Sequence, residues 1–230
     1  MFWVIVPEEV IQQGELTLTG GKAHHLGRVL RVRPGERGIA VAAARQYRVE
    51  VVAVSGARVS ARVLADEAVV APRVAITLLQ AVLPNPDFDA VLEGVTAIGV
   101  SRVVAIQAAR SVRRPGPDRL GRWRTIAEAS AEQSHAPAIP EVDGPMALSE
   151  ALARLDANLL VLHPGVDRPL SQAYQGSRPH VLAVGPEGGW TDDELLLLER
   201  AGGVRVDLGP RILRSRLAPI VAAAILLHQP

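Results

Sequence analysis

The chain contains no cysteine, which excludes disulfide frameworks, thiolate metal sites and cysteine nucleophiles. It also lacks an apolar run long enough to cross a membrane: the longest, residues 218–227, covers about half a span and contains Pro219. The apolar segment at residues 1–7 lacks the basic lead that begins a signal peptide. From these absences we expect a cytoplasmic protein.

The motifs of several common enzyme classes are missing as well. No glycine-rich segment ends in the Lys-Ser or Lys-Thr of a P-loop, and no Gly-x-Gly-x-x-Gly is present. The six histidines do not fall into a metal-ligand spacing, so we expect no metal site. Ser134 and Ser215 lack the flanking residues of a hydrolase nucleophile. P-loop nucleoside triphosphatases, ordinary Rossmann dehydrogenases, zinc enzymes and serine hydrolases therefore lose support.

Lysine is nearly absent: Lys22 is the only lysine among the 25 basic residues. The others are arginines, whose planar fork of donors suits phosphate recognition. The net charge is only +1, but residues 101–124 carry seven arginines against one acid, whereas residues 125–200 carry twelve acids against four arginines. The arginine-rich segment therefore predicts a surface that attracts a polyanion.

Residues 1–70 show short strands separated by turn residues, a pattern that is typical of a small β-barrel. One helical segment, residues 21–30, leads through Arg28, Arg31 and Arg33 into a Pro-Gly turn. A small barrel with a basic edge is a common nucleic-acid module, although a solvated barrel rim accounts for the same arginines equally well.

From residue 71 onward strands alternate with helices, which predicts an α/β domain with a mostly parallel sheet over residues 71–230. Three strands run into glycine-bearing turns, at residues 163–165, 185–189 and 209–211. Because ligands bind outside the carboxyl ends of the strands in such sheets, the three turns predict one shared pocket. A final helix over residues 212–228 is apolar nearly all round, so we expect it to be buried in its own domain, against a partner subunit, or both.

The second of these turns carries the clearest local signals. Its glycines, Gly185, Gly188 and Gly189, let a bound molecule approach the backbone. Thr191 and Glu194 then predict a capping box at the start of a helix. Turns that offer mainly backbone groups suit a neutral heterocycle or a zwitterion better than a triphosphate.

Four motifs follow one another along the chain. They are His24-His-Leu-Gly-Arg-Val-Leu-Arg31, Ala129-Ser-Ala-Glu-Gln-Ser134 with Pro140, Val184-Gly-Pro-Glu-Gly-Gly189 and Leu208-Gly-Pro-Arg-Ile-Leu-Arg214. In order and spacing they resemble the bacterial small-subunit ribosomal RNA (uracil-N3)-methyltransferases of the SPOUT class, and the resemblance covers essentially the whole chain. It implies a SPOUT-type α/β domain with a deep trefoil knot at residues 71–230, preceded by a PUA-like, RNA-binding β-barrel at residues 1–70, and a homodimer.

The resemblance also implies a reaction. S-adenosylmethionine would donate a methyl group to N3 of a uridine in small-subunit ribosomal RNA, free or in the assembled subunit, and leave S-adenosylhomocysteine. Arg211 and Arg214 are the candidates for catalysis. The residues expected around the cofactor are Leu162, His163, Pro164, Val184, Gly185, Pro186, Glu187, Gly188, Gly189, Leu208, Gly209, Ile212, Leu213, Arg214 and Ala218. Those expected on RNA are His24, Arg28, Arg31, Arg33, Arg110, Arg113 and Arg114.

The sequence departs from the family pattern at polar positions close to these motifs. Lys and Glu of the family are replaced by Gly94 and Ala97, an Arg by Ala136, and an acid followed by a hydroxyl by Arg216 and Leu217. The segment at residues 84–89 is acidic where the family is usually basic. Two hypotheses therefore stand. One is a uridine-N3 methyltransferase of ribosomal RNA, and the other is a diverged paralogue that acts on another RNA or only binds RNA or cofactor.

Overall fold

A computed structural model describes residues 1–70, 72–111, 116, 118–155, 157–173, 176 and 178–228. The chain divides into two compact units. The first comprises residues 1–71 and 131–138, and the second comprises residues 72–130 and 139–230. The predicted domain boundary at residue 71 leaves residues 131–138 in the second domain, whereas the structure groups them with the first unit.

The first unit is built on a mixed six-stranded sheet. Its strands are β1 (Phe2–Ile5), β2 (Ile11–Gln12), β3 (Glu15–Thr19), β4 (Arg37–Ala42), β5 (Arg45–Ser55) and β6 (Arg58–Ala68). They lie in the order β1-β4-β5-β6-β3-β2, with β1 parallel to β4 and the other pairs antiparallel. Side chains alternate between the faces of a strand, so Leu16 and Leu18 of β3 both enter the core of this unit.

A short helical segment follows β3. It consists of α1 (Gly20–His24) and one π-helical turn (His25–Val29), which confirms the helical segment predicted at residues 21–30. Ala23 and Leu26 are buried in the core of the unit, whereas His24 and Arg28 are exposed. The segment is therefore held by its apolar side and presents its basic side to solvent.

Residues 131–138 join the first unit through contacts with its N-terminal segments. They begin at the end of α3 (Arg119–Gln133). Glu132 Oε1 accepts hydrogen bonds from the backbone N–H of Ile5 at 3.0 Å and from Lys22 Nζ at 2.6 Å. The Trp3 ring stacks on His135, with 5.0 Å between the ring centroids, and Trp3 Nε1 donates to Ala136 O at 3.2 Å. These partners are far apart along the chain, so no local pattern signals them.

The second unit contains a six-stranded sheet whose neighbouring strands are all parallel. Its strands are β7 (Ile76–Ala81), β8 (Arg102–Ile106), β9 (Glu141–Met146), β10 (Asn158–Leu162), β11 (His180–Val184) and β12 (Val204–Val206), in the order β12-β10-β11-β7-β8-β9. The central strand β11 is buried at every residue, which explains why its residues after His180 are all apolar. The predicted α/β domain with a mostly parallel sheet is confirmed.

Helices cover both faces of this sheet. Besides α3 they are α2 (Asp87–Ile98), α4 (Leu148–Leu152), α5 (Asp192–Arg200) and α6 (Ala218–Leu227). Because side chains alternate along each strand, Leu78 and Leu182 pack with α2, α3 and α6, whereas Leu79 and Ala183 pack with α4 and α5. The carboxyl ends of the strands stay uncovered by these two layers, at the edge where the turns lie.

The last helix begins at Ala218 and not at residue 212 as the sequence analysis predicts. Pro219 lies in its first turn, where a missing backbone N–H has no helical partner to lose. The helix is buried along Ala222 and Leu226 and packs against α2. Within the described ranges, no helix is both long and apolar enough to span a membrane.

Candidate functional site

A cavity of about 340 Å³ lies where β10, β11 and β12 end. The first turn (residues 162–165), the second (residues 184–190) and the third (residues 206–215) contribute to its wall. The carboxyl ends of parallel strands meet at one edge of a sheet, so turns distant in sequence share this site. Among the residues that the sequence analysis expects around the cofactor, all except Gly209 and Arg214 line the cavity.

Several lining residues were not among those expected around the cofactor. Trp190, Val206, Asp207 and Ser215 belong to the three turns, and Arg110 follows β8. The first four were accessible from the sequence because each lies within two residues of a motif. Arg110 carries no such signal, since the residues it contacts lie on another strand end.

The Asp207 carboxylate joins the first turn to the third. Its Oδ2 accepts a hydrogen bond from the Gly165 N–H and its Oδ1 accepts one from the Gly209 N–H, both at 2.6 Å. The two glycines have φ values of +81° and +111°, so these backbone N–H groups point where most residues could not place them. Gly209 therefore acts on the cavity through Asp207, although it does not line the wall itself.

The capping box predicted from Thr191 and Glu194 is confirmed. Thr191 Oγ1 accepts from the Glu194 N–H at 3.3 Å, and Glu194 Oε2 accepts from the Thr191 N–H at 2.8 Å. Glu194 is only 8% exposed, and its second oxygen, Oε1, accepts from the Ala109 N–H at 2.7 Å. One buried carboxylate thus starts α5 and also anchors the segment that follows β8.

The glycines of the second turn serve conformation and close packing. Gly189 has a φ of +71°, and its N–H donates to Pro186 O at 2.9 Å across the turn. A Cβ at Gly185 would lie 3.2 Å from the Trp190 ring, and one at Gly188 would lie 3.3 Å from Arg110 Cβ. Larger residues would therefore push apart the side chains that cover this turn.

The Arg110 side chain lies against the second turn. Its Nη1 donates to Gly188 O at 2.8 Å and, more weakly, to Trp190 O at 3.4 Å. From the sequence, Arg110 is expected on RNA together with Arg113 and Arg114. Arg113 and Arg114 lie outside the described residues, so the structure places only Arg110 from this group.

The two arginines predicted for catalysis occupy different places. Arg211 is exposed and lines the cavity. Arg214 is also exposed but does not line the cavity, and its carbonyl accepts from the N–H groups of Leu217 and Ala218 at 2.8 and 3.0 Å. Arg211 is therefore the better placed of the two to meet a ligand inside the cavity.

The other residues expected on RNA belong to the first unit. His24 ends α1, Arg28 lies in the π-helical turn, and Arg31 and Arg33 precede β4. All four are exposed, and Arg31 has a φ of +54°. They form one basic segment around the loop that leads into β4.

The departure at Gly94 has a packing partner. Gly94 lies on α2, and a Cβ there would come within 2.4 Å of Ile220 Cδ1 on α6. Ala97 is exposed on the same helix, and Ala136 is 8% exposed within the first unit. Glycine at position 94 therefore permits the close approach of α2 to α6, and a long polar side chain could not occupy it in this packing.

The departure at Arg216 has a charge partner. Arg216 Nη1 lies 3.1 Å from Asp87 Oδ1, in the segment whose acidity also departs from the family pattern. Next to it, Asp89 is 7% exposed and accepts from Arg122 Nη2 at 2.5 Å. The base at position 216 and the acid at position 87 are thus the two halves of one ion pair, and Leu217 beside them is exposed.

One histidine of the second unit lies in its core, at the end of β11 opposite to the cavity. His180 begins β11 and is fully buried, and the loss of hydration lowers its pKa. It is therefore neutral in the folded chain at neutral pH. In the part of the chain that the structure describes, no group of three or more histidine or acidic side chains could hold a metal ion.

Comparison with known proteins identifies relatives over most of the chain. The family model described as RNA methyltransferase domain matches residues 71–227. The chain is 35% identical over 217 residues to Ribosomal RNA small subunit methyltransferase E of Mycobacterium bovis, covering 88% of this chain and 82% of that protein. It is 31% identical over 231 residues to the Synechocystis protein of the same name, covering 96% of this chain and 75% of that protein.

Solved structures share the fold. The crystal structure of a Ribosomal RNA small subunit methyltransferase E from Neisseria gonorrhoeae, bound to S-adenosyl methionine, has a TM-score of 0.89 at 29% identity. The match covers 97% of this chain and 95% of that chain. A methyltransferase from Legionella pneumophila, with bound SAM, has a TM-score of 0.86 at 24% identity over 98% of this chain and 96% of that one.

Proposed function

This chain belongs to the RNA methyltransferase family, and we propose that it transfers a methyl group from S-adenosylmethionine to N3 of a uridine in small-subunit ribosomal RNA. The observation that carries the proposal is the cavity formed by three turns at one sheet edge. Relatives that are similar over nearly the whole chain are named for methylating this class of RNA. The cavity supplies a place for the donor, and the names of the relatives support small-subunit ribosomal RNA as the substrate. The resemblance of the motifs supports N3 of a uridine as the acceptor.

The residues around the cavity fit S-adenosylmethionine. A volume of about 340 Å³ lies within the range of small-molecule sites. Backbone groups of the three turns can pair with a heterocycle and an amino-acid portion, and Leu162, Leu208 and Leu213 offer apolar surface. When bound, S-adenosylmethionine supplies an electrophilic methyl group on a sulfonium, and S-adenosylhomocysteine is the product.

The protein has to favour the deprotonated form of the uracil. The proton on N3 must pass to water before the N3 lone pair can attack, and the negative charge then spreads onto the two ring carbonyl oxygens. A cation held beside those oxygens stabilises the anion, and orientation of the base keeps N3 in line with the methyl group. We assign the cation to Arg211 because it lines the cavity, and place Arg214 at the approach to the site.

Finer features of the architecture belong to the same proposal. We infer that the second unit carries the deep trefoil knot of the SPOUT class and that the mixed sheet of the first unit is a PUA-like barrel. The exposed basic segment of His24, Arg28, Arg31 and Arg33 supports RNA binding by the first unit. We also infer the homodimer that the resemblance of the motifs implies.

Mass spectrometry of ribosomal RNA nucleosides from cells lacking this gene tests the proposal. We expect 3-methyluridine to disappear from small-subunit RNA and to return when the intact gene is supplied. Full retention of 3-methyluridine would contradict the proposal. Calorimetry with S-adenosylmethionine would then separate a methyltransferase of another RNA, which binds the donor, from a protein that only binds RNA.

Two arginine variants, tested in the same experiment, show whether the cavity takes part in methylation. Arg211→Met removes a cation from the cavity wall, whereas Arg200→Met removes an exposed arginine from the last turn of α5, outside the cavity. We expect Arg211→Met to restore clearly less 3-methyluridine than Arg200→Met. Equal restoration by the two variants would rule out the role assigned to Arg211.

A further inference from the structure

Arg110 is a cation on the cavity wall whose hydrogen bonds point to the protein itself. Its Nη1 donates to the carbonyls of Gly188 and Trp190, at 2.8 and 3.4 Å. Its aliphatic stem packs on the same turn, because a Cβ at Gly188 would meet Arg110 Cβ and Cδ at 3.3 Å. Both the stem and the head of the side chain therefore lie along the second turn.

These bonds restrict two peptide groups of the turn. A peptide group is planar, so a carbonyl held in one direction turns the following N–H in the opposite direction. The carbonyl of Trp190 faces Arg110, and the N–H of Thr191 in the same peptide group faces Glu194 Oε2 at 2.8 Å. This peptide group is therefore held from both sides, by a cation on its oxygen and by a carboxylate on its nitrogen.

The same carboxylate also holds the neighbour of Arg110. Glu194 Oε1 accepts from the Ala109 N–H at 2.7 Å, which anchors the backbone from which the Arg110 side chain extends. Arg110 thus leaves a backbone that is already anchored, so ordering its side chain against the turn costs rotamer entropy but little additional backbone entropy. A phosphate contact would not require either of these bonds, because a mobile surface arginine serves that purpose.

We propose that Arg110 is a positioning residue for the methyl-donor pocket, acting through the carbonyls of Gly188 and Trp190, and is not a phosphate contact. This inference rests on the proposed function, since it assumes that the cavity holds S-adenosylmethionine. Arg110 therefore has a different role from Arg113 and Arg114, its neighbours in the sequence that are expected on RNA. The bound donor would meet a second turn whose peptide groups are already oriented, so less order has to be imposed on binding.

The test measures two affinities on the full chain. Calorimetry gives the dissociation constant for S-adenosylmethionine, and the salt dependence of binding to transcribed small-subunit ribosomal RNA reports phosphate contacts. Arg110→Met removes the donors and keeps the apolar stem, Arg110→Lys keeps the charge and can make one such bond, and Arg200→Met is the control. We expect Arg110→Met to weaken donor binding about tenfold, from the loss of charge-assisted bonds, and Arg110→Lys to lose less.

The RNA measurement distinguishes a positioning role of Arg110 from a phosphate contact. The slope of log affinity against log salt should be the same for the unmodified chain and Arg110→Met, because a lost phosphate contact would lower its magnitude by about 0.7 to 0.9. A lower slope that Arg110→Lys restores, or an unchanged affinity for S-adenosylmethionine in Arg110→Met, would overturn the inference. Failure of the unmodified chain to bind S-adenosylmethionine would instead overturn the proposed function, and the inference with it.

Discussion

The contact between Gly94 on α2 and Ile220 on α6 provides a prediction that can be worked out from the structure. Gly94→Ala would place a Cβ 2.4 Å from Ile220 Cδ1 and 2.9 Å from Cγ1. Carbon atoms in contact are ordinarily about 3.5–4.0 Å apart, so the overlap exceeds what a small adjustment relieves. Either Ile220 must leave its rotamer or α6 must move away from α2.

Two opposing effects set the size of the change. Overpacking of this kind costs about 1–3 kcal/mol, whereas replacing glycine by alanine within a helix gains about 1 kcal/mol. We therefore expect Gly94→Ala to reduce the free energy of unfolding by about 0–2 kcal/mol, which is the cost of overpacking less the gain from alanine. In the Ile220→Ala background the obstructing atoms are gone, and the same substitution should stabilise the chain by about 1 kcal/mol.

Urea unfolding of the four members of this double-mutant cycle checks the prediction. The coupling between the two positions should be about 1–3 kcal/mol, because only the overlap depends on both residues. Gly121→Ala is a matched control, since Gly121 also lies within a helix, α3, but a Cβ there would meet no atom within 4 Å. Additive effects at positions 94 and 220 would refute the steric argument.

Three further predictions address charge and the cavity. Arg216→Glu should destabilise the chain, because it places two acids together where an ion pair stood. Adding Asp87→Arg should recover about 0.2–1 kcal/mol of the free energy of unfolding, measured in urea, because the reversed ion pair can form. Additive effects of the two substitutions would contradict this prediction. Asp207→Asn should weaken S-adenosylmethionine binding about tenfold in calorimetry, since an amide nitrogen cannot accept a backbone N–H, whereas Asp167→Asn on an exposed loop should not. Equal affinities of these two variants would argue against the carboxylate brace. Because burial lowers the pKa of His180, the unfolded chain takes up a proton at this residue before the folded chain does as the pH falls. The stability that the neutral, buried side chain confers is therefore complete above a pH of about 6.5 and is lost as the pH falls below that value. His180→Leu should therefore flatten the fall in unfolding free energy between about pH 7.5 and pH 5.5, and parallel pH profiles would disprove this.

The elements that border the cavity were accessible from the sequence because their signals are local. Thr191 and Glu194 are three residues apart, and their capping box needs only the turn between them. The alternation of strands and helices after residue 71 leaves few arrangements besides a parallel sheet covered by helices. Strand ends in such a sheet share one edge, so the grouping of the three turns followed from the pattern alone.

The contacts between distant segments could not be obtained in this way. Asp207 reaches Gly165 across 42 residues, Arg110 reaches Gly188 across 78, and Arg216 reaches Asp87 across 129. Each arginine or acid looks like an ordinary surface residue within its own segment. Their partners depend on the strand order β12-β10-β11-β7-β8-β9, which brings the end of β8 near that of β11.

The sequence by itself determined the class of fold, the three turns and the family, since these depend on periodicity, glycine spacing and motif order. The tertiary structure decided what the individual polar residues do. Residues 131–138 belong to the first unit, and Arg110 lies on the cavity wall, because of contacts with distant segments. The departures at Gly94 and Arg216 likewise match Ile220 and Asp87, a correspondence that only the packing of α6 beside α2 creates.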